Sequence, residues 1–457
     1  MSKYKWLTLF ILLAFITTSG FGCKWNPFSN NDPALKPVTI EYWGVWDKPN
    51  ELASLINSYQ TQHPTIKVNY RNFRYEEYED KLLQAWADDR GPDLFSIPVT
   101  WLKKYQPRLE SMPATIKIPV LESVGSIRPE LVTVLKDFQG LSPRDLKLKF
   151  VPIVYDNVVL DNKVYGLPYS VDTLVTFYNS DILSKEGIAE PIKDFNDLVE
   201  QTPKISKATE ANNIIQSAVD LGGVDNINNF FDVFSSIMLQ NGVEAKGASF
   251  NPDKNEGAGQ KLADVFGFYA DFARPGRATY SWNEKLDNAL EMFASGKLAY
   301  YFGYSYDAQE FRNRGLQFNW EITNFPQTRG AQGTKYYGDY WINVVPKKAD
   351  NKDAAWDFIQ RTAEADLVAG YLKENKRPTA LRSLINEQLK NDDLRIFASQ
   401  VLTADNWYSG YDINAAKKYL GDTIKALLVG DISLDTGPEA LKIFIQRINQ
   451  TYAKPEN

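Results

Sequence analysis

The stretch 163–180, KVYGLPYSVDTLVTFYNS, carries the signals that decide the fold. Its Gly-Leu-Pro tripeptide ends a turn and directs the next residues into extended conformation. The apolar and β-branched side chains that follow are typical of a buried strand. Asp172 is unusual in such a strand, because a buried Asp needs a partner. Two interpretations stay open: Asp172 is satisfied by backbone amides in the interior, or it faces a cleft.

The composition indicates a globular protein with more than one domain. At 457 residues the chain is too long for one ordinary core. Hydrophobic residues make up 44% and charged residues 24%, which is typical of a soluble fold. The net charge of -6 argues against a nucleic-acid partner, which would require a basic face. Aromatic side chains are the informative excess, with 25 Tyr, 25 Phe and 11 Trp.

Residues 1–22 have the features of a secretory signal peptide. Lys3 and Lys5 precede an apolar run that is shorter than the ~20 residues of a membrane-spanning helix. Cys23, the only cysteine, stands where a bacterial lipoprotein carries its acyl chain, although Phe21 departs from the usual pattern before that residue. We expect a lipid anchor at Cys23 and a flexible tether over 23–37, with a stray thiol as the alternative. A single cysteine allows no internal disulfide.

Residues 38–97 predict strand, helix, strand, helix, strand, and therefore parallel strands joined by crossovers. Ligands of such sheets bind beyond the carboxyl ends of the strands. The first strand ends in Trp43-Gly44-Val45-Trp46-Asp47. We expect Trp46 to line a cleft, whereas Trp43 either lines it or ends the strand in the core. Asp47 is either an acceptor for paired hydroxyls or part of a helix N-cap.

Residues 101–162 are punctuated by prolines and give the weakest pattern. The apolar spacing over 131–138 predicts one amphipathic helix, and 151–160 resembles strand material. We interpret this part as an elaboration of the first lobe.

Three motifs resemble one family along nearly the whole chain, from Val38 to about Ile448. The first is the Gly-Leu-Pro stretch with an acid at 172 and Tyr-Asn at 178–179. The second, Phe-x-x-Gly-Lys-x-Ala over 293–299, is the most specific, and the third is Ala-Ala-Trp-Asp-Phe-Ile over 354–359. Together they resemble the family 1 extracellular solute-binding proteins, the maltose-binding-like receptors of ABC importers.

The resemblance implies an α/β fold of two lobes, the type II periplasmic-binding-protein fold, with a hinge of three crossovers. We expect the first lobe to comprise 38–168 and 306–340, and the second lobe 169–305 and 341–457. The returns between lobes would then lie near 302–307 and 338–343.

The resemblance and the aromatic clusters also imply the site. Arg377 is either a ligand contact or an exposed solvated residue, and Phe230 and Asp232 are either ligand contacts or helix core. The expected ligand-binding residues are Trp43, Trp46, Asp47, Tyr169, Asp172, Tyr304, Tyr306, Tyr340, Trp341, Arg377, Trp407 and Tyr408.

The sequence contains no phosphate loop, no His–Glu zinc motif and no nucleophile elbow, and His63 is its only histidine. The resemblance implies a receptor that closes on a ligand without catalysis, cofactor or metal. The expected partners are a small solute, for which the aromatics favour a carbohydrate, and an ABC permease. We expect a monomer tethered to the membrane outside the cytoplasm. Two alternatives remain: a secreted glycoside-active enzyme with a carboxylate pair, and a ferric-ion receptor with tyrosine ligands.

Overall fold

The computed structural model describes residues 36–126, 129–243, 247, 249–252 and 257–454. The predicted signal peptide, Cys23 and nearly all of the predicted tether lie outside these residues. Among the residues described, none of the helices combines the length and the apolar character needed to cross a bilayer.

The strands follow one another in short segments that alternate with helices. In chain order they are β1 (Val38–Gly44), β2 (Ile66–Asn72), β3 (Leu94–Pro98), β4 (Leu109–Glu110), β5 (Thr115–Val124), β6 (Glu130–Gln139), β7 (Val159–Leu160), β8 (Lys163–Val164), β9 (Asp172–Thr173), β10 (Val175–Asn179), β11 (Lys207–Ala208), β12 (Ile214–Val219), β13 (Leu298–Gly303), β14 (Trp320–Asn324), β15 (Tyr336–Asp339), β16 (Trp341–Pro346) and β17 (Ala404–Asp405).

The α-helices cover both sheets and link the strands. In chain order they are α1 (Pro49–Gln62), α2 (Tyr75–Ala87), α3 (Leu102–Tyr105), α4 (Pro143–Lys149), α5 (Pro152–Val158), α6 (Ser180–Lys185), α7 (Phe195–Ile205), α8 (Phe230–Gln240), α9 (Ala258–Asp271), α10 (Ala289–Ala294), α11 (Ser305–Arg314), α12 (Lys352–Thr362), α13 (Ala365–Glu374), α14 (Ile385–Gln388), α15 (Arg395–Gln400), α16 (Ile413–Val429) and α17 (Lys442–Gln450).

The first sheet has the strand order β2-β1-β3-β16-β4. β1 pairs in parallel with both β2 and β3, so the predicted strand–helix alternation over 38–97 is confirmed. Helices α1 and α12 pack beside this sheet because each turns a row of apolar residues towards it, and α13 packs on α1. The carboxyl ends of β1 and β3 therefore open on one edge, where Trp46 and Asp47 follow β1.

The second sheet has the order β11-β12-β13-β10-β14. β14 pairs with β10, whereas β16 lies between β3 and β4 in the first sheet. The prediction placed 306–340 in the first lobe and 341–457 in the second. The sheets show the reverse, because β14, within 306–340, belongs to the second sheet and β16, within 341–457, belongs to the first. After β13 the chain stays in the second lobe, because α11 begins at Ser305 and returns it to the edge of the same sheet. The chain reaches the first sheet only at 339–341, not at 302–307.

A small third sheet, β17-β15-β9, joins the two halves. Asp172 on β9 faces Asp339 on β15, and β15 continues directly into β16 of the first sheet. Two of the passages between lobes thus run side by side, which is the arrangement of a hinge.

The predicted helix over 131–138 is wrong, because β5 and β6 form a long antiparallel hairpin there. The run Val132-Thr133-Val134 is β-branched and finds a cross-strand partner in β5, which apolar spacing alone does not reveal. The predicted strand over 151–160 is largely wrong as well. Pro152 stands at the first position of α5, where its fixed φ favours a helix start.

Candidate functional site

A cavity of about 430 Å³ lies between the two sheets and the hinge, within the size range of small-molecule sites. The first lobe contributes Trp46, Asp47, Lys48, Glu51, Ser96, Tyr169, Tyr340, Trp341, Asn343, Tyr371, Glu374, Asn375 and Arg377. The hinge contributes Ser170, Asp172 and Asp339, and the second lobe contributes Tyr304, Ser305, Tyr306, Gln309, Glu310 and Asn313.

Aromatic rings from both lobes meet at the mouth of this cavity. Trp46 stacks on Trp341 with ring centroids 6.2 Å apart, and its edge meets Tyr306 of the second lobe at 5.3 Å. Tyr306 in turn stacks on Tyr304 at 5.6 Å. Trp46 is 45% exposed and Tyr306 40% exposed, so part of each residue stays accessible despite the stacking. The contact between Trp46 and Tyr306 joins the lobes directly.

An ion-pair network holds Asp47 in place on the first-lobe side. The guanidinium of Arg377 lies 3.0 Å from Asp47 Oδ1, and the Tyr371 hydroxyl donates to the same oxygen at 2.6 Å. Burial raises the pKa of Asp47, while Arg377 and Tyr371 oppose that rise. Arg377 also lies 3.7 Å from Glu51, which accepts a hydrogen bond from the backbone N–H of Lys48. The network presents fixed carboxylate oxygens to the cavity.

Asp172 occupies the hinge and resolves the question that the sequence left open. Its carboxylate accepts from the backbone N–H of Thr173 at 2.9 Å and from the N–H and hydroxyl of Ser305 at 3.0 and 2.6 Å. It also lines the cavity, so both interpretations hold at once. Burial raises the pKa of Asp172 to about 6, against the opposing effect of the Ser305 hydrogen bonds.

Asp339 of the hinge and Asp232 of α8 are neighbouring carboxyl groups. Burial and the neighbouring Asp232 raise the pKa of Asp339 to about 7. Burial likewise raises the pKa of Asp232, which accepts a hydrogen bond from the Tyr304 hydroxyl at 2.9 Å. Lys417 acts in the opposite direction on both carboxyl groups. Tyr304 is thus oriented by a group outside the cavity.

Most of the predicted ligand-binding residues line this one cavity. Three of them have hydroxyls that are already engaged: Tyr169 with Thr362 at 3.0 Å, Tyr340 with the carbonyl of Ile153 at 3.1 Å, and Tyr304 with Asp232 at 2.9 Å. The predicted residues that line the cavity are Trp46, Asp47, Tyr169, Asp172, Tyr304, Tyr306, Tyr340, Trp341 and Arg377.

Three predicted residues lie elsewhere. Trp43 is buried and packs against Phe73 at 4.7 Å, on the face of β1 opposite to Ile40 and Tyr42. Trp407 donates its indole N–H to Ser235 at 2.8 Å, and Tyr408 packs beside it. Both are buried and line a different cavity, of about 460 Å³, that also contacts 99–103 and 156–160.

The two further candidates on α8 lie outside the lining of the first cavity as well. Phe230 is half-buried against the apolar core, as the alternative interpretation of helix core expects. Asp232 acts on the cavity indirectly, through its hydrogen bond with Tyr304 and its charge beside Asp339.

The sequence analysis missed several polar lining residues. Glu374 and Asn375 end α13, and Asn313 lies near the end of α11, where polar residues are too common to stand out. Asp339 could have been identified as a site residue from the sequence, because it follows Gly338 in a predicted strand and Asp is depleted from strands. Within the described residues, no group of three or more His, Cys, Asp or Glu side chains is arranged to hold a metal ion.

Comparisons with known proteins agree with this architecture. The galactooligosaccharide-binding protein of Bacillus subtilis (strain 168) is 22% identical over 417 residues, covering 88% of this chain and 87% of the relative. The maltotriose-binding protein of Pyrococcus abyssi (strain GE5 / Orsay) is 23% identical over 363 residues, covering 76% of this chain and 68% of the relative.

Solved structures share the fold at low identity. The sugar-binding protein MalE from Xanthomonas citri superposes with a TM-score of 0.69 at 21% identity, covering 91% of this chain and 98% of the other. A cyclo/maltodextrin-binding protein complexed with maltotetraose superposes with a TM-score of 0.70 at 14% identity, covering 92% and 99%. The predicted two-lobe fold is thereby confirmed. The model of the family described as bacterial extracellular solute-binding protein matches residues 54–395, and this chain belongs to that family.

Proposed function

We propose that this protein is the extracytoplasmic receptor of an ABC importer and that it binds a neutral carbohydrate between its lobes. One observation carries the proposal: exposed aromatic residues from both lobes, Trp46 and Tyr306, meet at a cavity that fixed carboxylate acceptors also line. The flat apolar face of a sugar ring fits an aromatic ring, and its hydroxyls donate to carboxylates. The relatives named for galactooligosaccharide and maltotriose support this ligand class.

The charge of the cavity supports a neutral ligand over an anionic one. Its basic lining residues are Lys48 and Arg377, and Arg377 is already paired with Asp47. The acidic lining residues are Asp47, Glu51, Asp172, Glu310, Asp339 and Glu374. A phosphate or carboxylate on the ligand would meet this excess of like charge in a partly desolvated site.

The mechanism is binding with closure of the hinge. A ligand that touches Trp46 on one lobe and Tyr306 on the other gains both contacts only when the lobes meet, so it shifts the equilibrium towards the closed state. The first lobe then comprises residues 38–171 and 340–388, and the second lobe 174–337 and 395–450. The closed form presents the surface that a permease recognises.

Three finer features belong to the same proposal. The protein acts as a monomer, is tethered to the membrane by an acyl chain on Cys23, and releases its ligand unchanged. The comparisons favour neither the glycoside-active enzyme nor the ferric-ion receptor.

The test is a fluorescence titration of the intrinsic tryptophans with neutral oligosaccharides, sugar phosphates and ferric ion, together with product analysis. We expect a saturable spectral shift with neutral oligosaccharides and no product. Cleaved saccharide would establish the enzyme, and a visible absorbance band with iron would establish the metal receptor. Tight binding of sugar phosphates alone would overturn the proposed ligand class.

A further inference from the structure

The hairpin of β5 and β6 presents an exposed apolar surface that the carbohydrate site does not use. Leu121 is 40% exposed, Leu131 71% and Leu135 43%. Leu121 lies opposite Thr133, which stands between Leu131 and Leu135 on the partner strand. Directly opposite and diagonal neighbours share one face of an antiparallel pair, so these side chains form a single patch, here called the leucine face.

Towards the tip of the hairpin, the residues that the structure describes on the leucine face carry no charge. The nearest charged pair on that face is Lys117 with Asp137, at the base of the hairpin, with the nitrogen 3.9 Å from the oxygen. Beyond that pair the alternation turns only uncharged residues to this side. They are Pro119, Leu121, Ser123, Leu131, Thr133 and Leu135. Among the paired residues of the distal hairpin, the charged ones, Glu122, Glu130 and Lys136, alternate onto the opposite face.

The hairpin lies beside the point where the tether leaves the fold. The backbone N–H of Val38 donates to the carbonyl of Thr65 at 2.9 Å, and the Thr65 hydroxyl donates to the carbonyl of Pro119. The 14 residues from Cys23 to Lys36 span at most ~45 Å when fully extended. From Pro119 to the end of β5 is five residues, or about 17 Å of strand. The leucine face is therefore within reach of a bilayer that holds the acyl chain.

We propose that the leucine face docks on the lipid bilayer to which Cys23 tethers the protein and thereby orients the receptor. This inference rests on the lipid anchor within the proposed function. Exposed leucines without charges suit the apolar edge of the headgroup region, as in amphipathic interfacial segments. A second copy of the chain is a poorer occupant, because three partly exposed leucines supply far less than the ~800 Å² per partner of a stable interface.

The test couples the mature chain, from Cys23 onward, to phosphatidylcholine vesicles through a maleimide lipid. Because Cys23 is the only cysteine, the thiol attachment is unique and does not depend on natural acylation. A carbene-generating label dissolved in the bilayer then marks inserted side chains, and mass spectrometry locates them. Val429 and Ile443, which are 74% and 64% exposed on the second lobe, are the matched comparison.

We expect label in the peptide that spans 115–139 and only background label around 429 and 443. The variant with Leu121→Ser, Leu131→Ser and Leu135→Ser should lose the hairpin label. The control variant with Val429→Ser and Ile443→Ser should keep it. Circular dichroism checks the fold of each variant, and the single change Leu131→Lys, at the most exposed of the three, tests the face if the triple variant does not fold.

The inference is wrong if the hairpin is labelled no more strongly than the residues around 429 and 443, or if the label persists in the triple variant. Either result would leave the anchor and the receptor function in place. A dimer of the untethered chain that the triple variant disperses would assign the face to a second copy instead. Absence of acylation at Cys23 in native membranes, seen by mass spectrometry, would overturn the anchor and the inference with it, but not carbohydrate binding.

Discussion

Trp46 lines the cavity and nearly half of it is exposed, so its removal should cost the core little. We expect Trp46→Ala to weaken saccharide binding by about 1–2 kcal/mol, roughly tenfold in Kd, with little change in Tm. Isothermal titration calorimetry measures the affinity. The control is Trp43→Phe, three residues away but buried, which should lower the stability and leave the affinity unchanged. Equal losses of affinity in both variants would contradict this site.

Asp339 makes the stability of the free protein depend on pH. Burial and Asp232 raise its pKa to about 7 in the folded state, from an ordinary value of 3.8. The folded protein therefore holds this proton more tightly than the unfolded chain, and the free energy of unfolding falls as the pH rises from about 4 to about 7. We expect Asp339→Asn to reduce the stability lost between pH 5 and pH 8, as measured by urea denaturation. An identical loss in the variant and the wild type would show that Asp339 does not titrate in this range.

The sequence pointed to Asp172 but not to its partner. A carboxylate in an apolar strand is recognisable from composition alone, because burial of an Asp requires compensation. Ser305, which supplies that compensation, is 133 residues away along the chain, and no local pattern connects the two. Trp43 and Trp46 are the same residue type, three positions apart, yet Trp43 is buried in the core and Trp46 lines the cavity. The sequence does not distinguish these two positions.

At the scale of elements, Gly166 is required by the close approach of two segments. A Cβ at this position would lie 2.9 Å from the backbone carbonyl oxygen of Asn343 in β16. We expect Gly166→Ala to lower the free energy of unfolding by about 1–3 kcal/mol, since the backbone on both sides is fixed by hydrogen bonds between Leu167 and Asn343.

The matched control is Gly370→Ala in α13, where a Cβ would meet nothing within 4 Å. That change should raise the stability by about 0.5–1 kcal/mol, because Ala has the higher helix propensity. Chemical denaturation of both variants gives the comparison. A Gly166→Ala protein as stable as the wild type would mean that the contact with β16 is loose.

Elements whose hydrophobic residues repeat at a regular spacing were predictable from the sequence, whereas an element whose identity depends on its pairing partner was not. The alternation of β1, α1, β2, α2 and β3 followed from hydrophobic spacing. The hairpin over 115–139 did not, because four apolar residues in 131–138 fit both a helical stripe and the two faces of a strand. Only the pairing with β5 decides between them, and pairing is a non-local property.

At the scale of the whole molecule, the contact between Trp46 and Tyr306 describes a closed arrangement. We expect the free protein to populate a more open state and a bound saccharide to shift it towards this one. Small-angle X-ray scattering should then show a smaller radius of gyration at saturating ligand. The double variant Trp46→Ala, Tyr306→Ala should show less contraction at the same ligand concentration. A radius that does not change at saturation would exclude closure as the response to ligand.

The two-lobe architecture was predictable from motifs spread along the chain, whereas the assignment of segments to lobes was not. β14 and β16 are both short strands that begin with Trp, and local spacing does not say which sheet each one joins. Their neighbours in the sheets, β10 for one and β3 with β4 for the other, decide it, and those pairings are non-local.

The position of β16 also has a consequence for synthesis. This strand lies in the middle of the first sheet, between β3 and β4, yet it begins at residue 341. A ribosome must therefore translate three quarters of the gene before the amino-terminal half can finish its own core. Such distant pairing makes spontaneous folding slow. A polypeptide that stays unfolded until late in translation remains competent for translocation through a secretion pore.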